Sequence, residues 1–227
     1  MSEMNKVTVT YFKGRGRAEI IRWTLAACNV PFSNIDLEGP QDINRLRENG
    51  ELAFNQVPLV KMDGLNLVQT SSAVQYIVST RRPDLAGGND SVKAYQINMV
   101  CESARDFAGG VMPYAFQVKS GADWEGTQKA VLSKYLPLLE RLISNNPESD
   151  EFTVGSTMTL GDISFAQSLW IYKECLGDGI FEGFPKSKAL ATAVWEHPNI
   201  KEYLSSEWHW PLSDGAYVDN VNFVLER

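Results

Sequence analysis

The sequence predicts a mixed α/β N-terminal third followed by an all-helical remainder. Three observations predict it. Residues 7–12 alternate and are all β-branched or aromatic, as in a strand. Residues 58–62 and 65–68 are short apolar runs joined by Asp63-Gly64, a favoured hairpin dipeptide. Past Gly87-Gly88-Asn89, every periodic stretch has helical spacing.

The elements follow in order. After the first strand and a Gly14-Arg15-Gly16 turn, Ile20, Ile21, Leu25 and Cys28 place a helix over residues 17–28, stopped by Pro31. Residues 32–37 suit a second strand, and residues 43–49 a short polar helix closed by Gly50. The hairpin comes next, and Ser71 or Ser72 then caps a helix carrying Ala73, Val74 and Ile77. Arg81-Arg82-Pro83-Asp84 punctuates the chain as a linker would, dividing it into residues 1–83 and 84–227.

In the second unit, residues 91–119 read as one long helix, bent where Gly109, Gly110 and Pro113 interrupt it. Residues 125–145 read as another, with Val131, Tyr135, Leu138 or Leu139, and Leu142 on one face and a kink at Pro137. Thr159-Leu160-Gly161-Asp162 has the form of a capping box with Asp in place of Glu, opening a helix through Ile163, Ala166, Leu169 and Trp170. The tail spaces Tyr217, Val221, Val224 and Leu225 helically behind Asp214.

Composition narrows the function. The chain has 227 residues, 44% hydrophobic and 22% charged, as a globular protein does. Against 28 Asp and Glu stand 21 Lys and Arg, a net charge of −7. No basic surplus exists to neutralise phosphates or to hold an anionic membrane, and no stretch of ~18 apolar residues occurs, so neither nucleic acid nor membrane insertion is expected. Three distant cysteines with no Cys-x-x-Cys pair, and only two histidines, predict no disulfide framework and no metal centre. The N-terminus has no signal pattern, and a soluble, cytoplasmic protein is expected.

The chemistry gathers at three places. Tyr11 ends the first strand immediately before a glycine turn and a helix N-terminus, with Arg17 in the same place. A helix N-terminus favours an anion, and a phenol beside it can donate a hydrogen bond to a thiolate or oxyanion. Alternatively, Tyr11 is a core aromatic. Gln56-Val57-Pro58 puts proline at the start of a strand that otherwise looks central. A cis Val57–Pro58 bond would reconcile this and expose the backbone of Val57 to a ligand. Gln69-Thr70-Ser71 leads from a strand into a helix, where N–H and hydroxyl donors can hold a carboxylate or simply cap the helix.

Together these pieces resemble a cytosolic glutathione transferase, most like the alpha class. The resemblance rests on the segment Tyr11 to Arg17, Glu19-Ile-Ile-Arg-Trp23, Leu46-Arg47, Phe54-Asn-Gln-Val-Pro58, Asp63-Gly64 and Leu67-Val-Gln-Thr70. It is dense over the N-terminal unit and thins to Tyr135-Leu-Pro137 and Thr159-Leu-Gly-Asp162 beyond. It implies a thioredoxin-like domain followed by a helical bundle, in a homodimer that uses glutathione as co-substrate and no other cofactor. Tyr11 would bond the glutathione sulfur, assisted by Arg17. Arg47, Gln56, Val57, Gln69 and Thr70 would hold the rest of glutathione, and Asp106 would reach glutathione bound to the other subunit. Phe54 would insert into that subunit. Phe12, Gly16, Met112 and Phe116 would line the site for small hydrophobic electrophiles, with the tail either covering that site or docking on the bundle. Two positions depart from the family pattern: Lys134 and Ser71 each stand where an arginine is expected. The same resemblance implies conjugation of electrophiles, with a glutathione-dependent peroxidase or isomerase, or a ligand carrier, as alternatives. A thioredoxin-type disulfide exchanger is disfavoured, because the cysteine pair is missing.

Overall fold

The computed structural model describes residues 6–227. Four strands, β1 (Val7–Tyr11), β2 (Phe32–Asp36), β3 (Leu59–Met62) and β4 (Leu65–Val68), form one sheet in the order β2-β1-β3-β4. β1 pairs parallel with β2 and antiparallel with β3, which pairs antiparallel with β4. A parallel pair needs a crossover, and α1 (Glu19–Ala27) supplies it, burying Ile21, Trp23 and Leu25. α2 (Pro40–Glu48) follows β2, and α3 (Thr70–Arg81) follows β4, with Ala73, Val74 and Ile77 buried. At the β3–β4 turn Asp63 and Gly64 have φ of 54° and 76°, the left-handed pair that a two-residue hairpin demands.

The remainder is helical among the described residues: α4 (Ser91–Val111), α5 (Tyr114–Ser120), α6 (Trp124–Ser144), α7 (Leu160–Leu176), α8 (Pro185–Trp195), α9 (Pro198–Leu204) and α10 (Gly215–Val224). α7 is the central member, with Ile163, Ala166, Leu169 and Tyr172 all buried. Its capping box is formed: Asp162 accepts from the N–H and the hydroxyl of both Thr159 and Thr153, at 2.6–2.9 Å. Burial pushes the Asp162 carboxyl up, opposed by those hydrogen bonds. None of the helices is long and apolar enough to cross a membrane.

Three expectations are corrected. The long helix over residues 91–119 is two, α4 and α5, separated at Met112-Pro113. Proline denies the ladder a donor, and Pro113 instead stands as the N-cap of α5. The buried stripe of α6 runs through Leu132, Leu136, Leu139 and Ile143, one residue along from the expected face, and Leu138 is 42% exposed. Neither Ser71 nor Ser72 caps α3, because the helix begins at Thr70 behind Gln69, whose φ is 67°. Ser71 instead accepts a hydrogen bond from Arg105.

Candidate active site

One cleft, of about 900 Å³, runs from the carboxyl end of β1 along α3 and α4. Tyr11 and Arg17 line it, as do Arg47, Gln56, Val57, Gln69 and Thr70, so seven residues separated by up to 59 positions converge there. The local reasons are simple. β1 delivers Tyr11 to its end with the ring buried, and the chain then turns at Gly14 and Gly16 into the start of α1. The Arg17 N–H, one of the donors a helix start leaves free, points at the Tyr11 hydroxyl at 3.1 Å. Arg17 itself lines the same cleft and is exposed.

Val57–Pro58 is cis, and the ladder of β3 begins only at Leu59, so proline costs the sheet no donor. Gln69 is held in the left-handed region, a conformation that is unfavourable for a non-glycine residue and concentrated at functional sites. It delivers Thr70 and the unpaired N–H groups of α3 to the cleft, where an anion is favoured. The Thr70 hydroxyl makes a long hydrogen bond, 3.4 Å, to the Arg17 carbonyl. Across the cleft, Arg47 donates to the Asn55 carbonyl at 3.3 Å and to Asn44 at 3.1 Å.

The apolar end of the cleft has Phe12, Gly16 and Met112 in its wall, with Ala108 and Leu225. Phe116 lies outside this lining and packs edge-on against Tyr217, with ring centroids 6.0 Å apart. Asp106 is an exposed residue of α4 that does not line the cleft of its own chain; Glu102 and Arg105, beside it on the helix, do. Phe54 is 64% exposed at the cleft rim. Lys134 sits over the ring of Tyr135, 4.7 Å from its centroid.

The tail docks, and its end reaches the cleft. Tyr217, Val221 and Val224 are buried, while Leu225 and Arg227 reach the cleft. Asn220 fixes α10 to the first unit: it accepts from the Lys13 N–H at 2.9 Å and donates to the Leu37 carbonyl at 3.0 Å.

Sequence reasoning missed a buried polar seam behind the site. Arg15, 3% exposed, pairs with Glu174 of α7 and donates to the Trp210 carbonyl at 2.6 Å. Glu19 accepts from Trp23 and from Tyr203 of α9, both at 3.0 Å, and pairs with Arg22 at 3.1 Å. Arg22 in turn donates to the Gly14 carbonyl at 3.0 Å. The turn bearing Tyr11 is thereby tied to both halves of the chain.

The cysteines are free, and none offers a ready nucleophile. Burial pushes Cys28 and Cys175 up to about 11 and Cys101 up to about 12, whereas a reactive cysteine needs a lowered pKa.

Comparison with known proteins identifies the family. Residues 7–79 match the family model "Glutathione S-transferase, N-terminal domain", and residues 105–207 match "Glutathione S-transferase, C-terminal domain". Glutathione S-transferase A1 of Bos taurus is 33% identical over 224 residues, covering 97% of this chain and 98% of that protein. Glutathione S-transferase alpha-5 of Rattus norvegicus is also 33% identical, over 223 residues, with 97% and 98% covered. The solved glutathione S-transferase of Ascaris lumbricoides superposes with a TM-score of 0.73 at 28% identity, covering 88% of this chain and 96% of that one. A Necator americanus glutathione S-transferase, described as monomeric, shares the fold at 22% identity with a TM-score of 0.74 over 89% of this chain and 97% of its own. The chain belongs to the glutathione S-transferase family.

Proposed function

We propose that this transferase binds glutathione in the cleft, holds its sulfur as a thiolate with Tyr11, and adds it to small hydrophobic electrophiles, a detoxifying reaction. The observation that carries the reading is the Tyr11 hydroxyl. It stands at the cleft, is fixed by the Arg17 N–H, and is flanked by donors suited to both ends of a tripeptide anion. A free thiol titrates near ~8.5, and the thiolate is the nucleophile. Tyr11 would donate to the sulfur, with the α1 terminus and Arg17 supplying positive charge. Arg47 would hold the glycine carboxylate, Gln56 and the Val57 backbone the cysteinyl part, and Gln69 and Thr70 the γ-glutamyl end. Phe12, Gly16 and Met112 would wall the electrophile side, with Phe116 supporting Tyr217 beside them. Glutathione is the co-substrate, and no other cofactor enters the proposal.

The division of labour follows the chain: residues 1–83 hold glutathione and residues 84–227 the hydrophobic partner. The family models that match on either side of this boundary support it. Free cysteines suit a cytoplasmic setting.

An ultraviolet difference titration of bound glutathione tests the proposal. The expected result is a thiol pKa well below that of the free thiol. Binding with no thiolate signal would instead mark a carrier, and no binding would reject the reading.

A homodimer completes it, with Asp106 reaching glutathione in the partner and exposed Phe54 inserting there. Phe54→Ser is expected to shift sedimentation from dimer toward monomer. An unchanged dimer rejects that contact, and a monomeric parent protein rejects the dimer.

A further inference from the structure

Tyr217 lies outside the cleft lining, yet its hydroxyl meets the same glycine that the Tyr11 hydroxyl does. Gly14 lets the Tyr217 ring lie directly on the turn after β1, where a Cβ would collide with its edge. Gly16, with φ of 40°, does the same for the hydroxyls. A Cβ built there would lie 2.6 Å from the Tyr11 oxygen and 2.6 Å from the Tyr217 oxygen. Two phenol oxygens thus share one glycine-sized space, one from each unit of the chain. Tyr217 is 8% exposed and lies outside the cleft lining, whereas Tyr11 is part of it. The ring is gripped on its other side by Phe116.

We propose that Tyr217 is a positioning residue for catalysis, its O–H donating to the Tyr11 oxygen so that the Tyr11 proton faces the sulfur. This rests on the reading of Tyr11 given above. A phenol has one donor and two acceptor sites. The Arg17 N–H already fills one acceptor site of Tyr11, and the Tyr217 O–H fills the other. The single proton of Tyr11 is then left for the cleft. A phenol that accepts while donating is also polarised, which strengthens the bond it gives. Tyr217 is suited to the donor's part, because burial and the neighbouring Tyr11 hold it protonated, far above the ordinary phenol range. The charged groups that act on it are Arg17 and Arg22, both cationic, and neither accepts its proton. The C-terminal helix would then contribute to thiol activation through a hydrogen bond from behind, while Leu225 and Arg227 after it reach the cleft.

Tyr217→Phe removes one oxygen and keeps the ring on Gly14 and Phe116, and an unchanged Tm checks that α10 stays docked. Bound glutathione is titrated by ultraviolet difference, alongside its Kd and the pH dependence of kcat. The expected result is about a three- to ten-fold loss of thiolate below the thiol pKa, the worth of one hydrogen bond. kcat should fall in the same pH range and recover at high pH, with the glutathione Kd unchanged. A thiol that titrates as in the parent protein overturns the proposal, as does a kcat lowered equally at every pH. Tyr11→Phe, measured in parallel, separates the two readings. If it raises the thiol pKa and Tyr217→Phe does not, only the role of Tyr217 falls. If it too leaves the titration unmoved, the role of Tyr11 falls and that of Tyr217 with it.

Discussion

Tyr11→Phe is expected to bind glutathione almost as tightly as the parent protein and to turn over about 10²- to 10³-fold more slowly, the loss seen when one preorganised donor to a reacting anion is removed. The ring is buried and packs edge-on against Phe12, so phenylalanine fills its place and the fold survives. Only the O–H is lost. Arg17, the N-terminus of α1 and the donors of α3 remain, so the tripeptide is still held but its sulfur stays largely protonated at neutral pH. Steady-state kinetics with a chromogenic electrophile, paired with titration calorimetry, separate the two effects. Equal turnover in both proteins would refute the assignment, and loss of binding would show that Tyr11 serves affinity instead.

The second large effect is on stability. Asp162→Ala removes an acceptor shared by two backbone N–H groups and two hydroxyls, all inside the protein. Unsatisfied buried donors cost about 1–3 kcal/mol each before relaxation, and the first turn of α7 loses its cap. A loss of roughly 3–5 kcal/mol is expected, at the upper end for single substitutions. Thr159→Ala, which deletes one hydroxyl, should cost only about 1 kcal/mol. Urea denaturation of the three proteins provides the check. If Asp162→Ala unfolds at the parent midpoint, the capping box contributes little to the fold.

What could be read from the chain depended on whether a signal was local. β1, the glycine turn and α1 were legible because strand alternation, glycine and helical spacing all act within a few residues. The Asp63-Gly64 turn was legible because two consecutive left-handed residues demand that chemistry. The start of α3 misled because Ser71 and Ser72 are good caps in general, whereas Gln69 takes the left-handed conformation and moves the helix start to Thr70. In α6, Leu138 and Leu139 both satisfy the spacing, and only packing chose Leu139. Arg15, Glu19 and Arg22 look like solvent-facing residues of a polar turn and helix. Their burial follows from Glu174, 159 residues from Arg15, and Tyr203, 184 residues from Glu19. No window along the sequence contains such a pair. Tyr217 was visible as one member of an apolar stripe, while the destination of its hydroxyl was not.

The Arg15–Glu174 pair bears on how this protein could be recombined with its relatives. Exchanging one half for that of another member would bring a foreign side chain opposite Arg15, and a guanidinium sealed from water without its carboxylate is costly. The turn that carries Tyr11 would be the first element disturbed, although every residue of that turn came intact with its own half. The two halves are therefore not interchangeable cassettes. A working chimera must carry across the carboxylate at position 174 and the backbone acceptor at position 210 along with the N-terminal half, so that the crossover follows the polar seam rather than the linker.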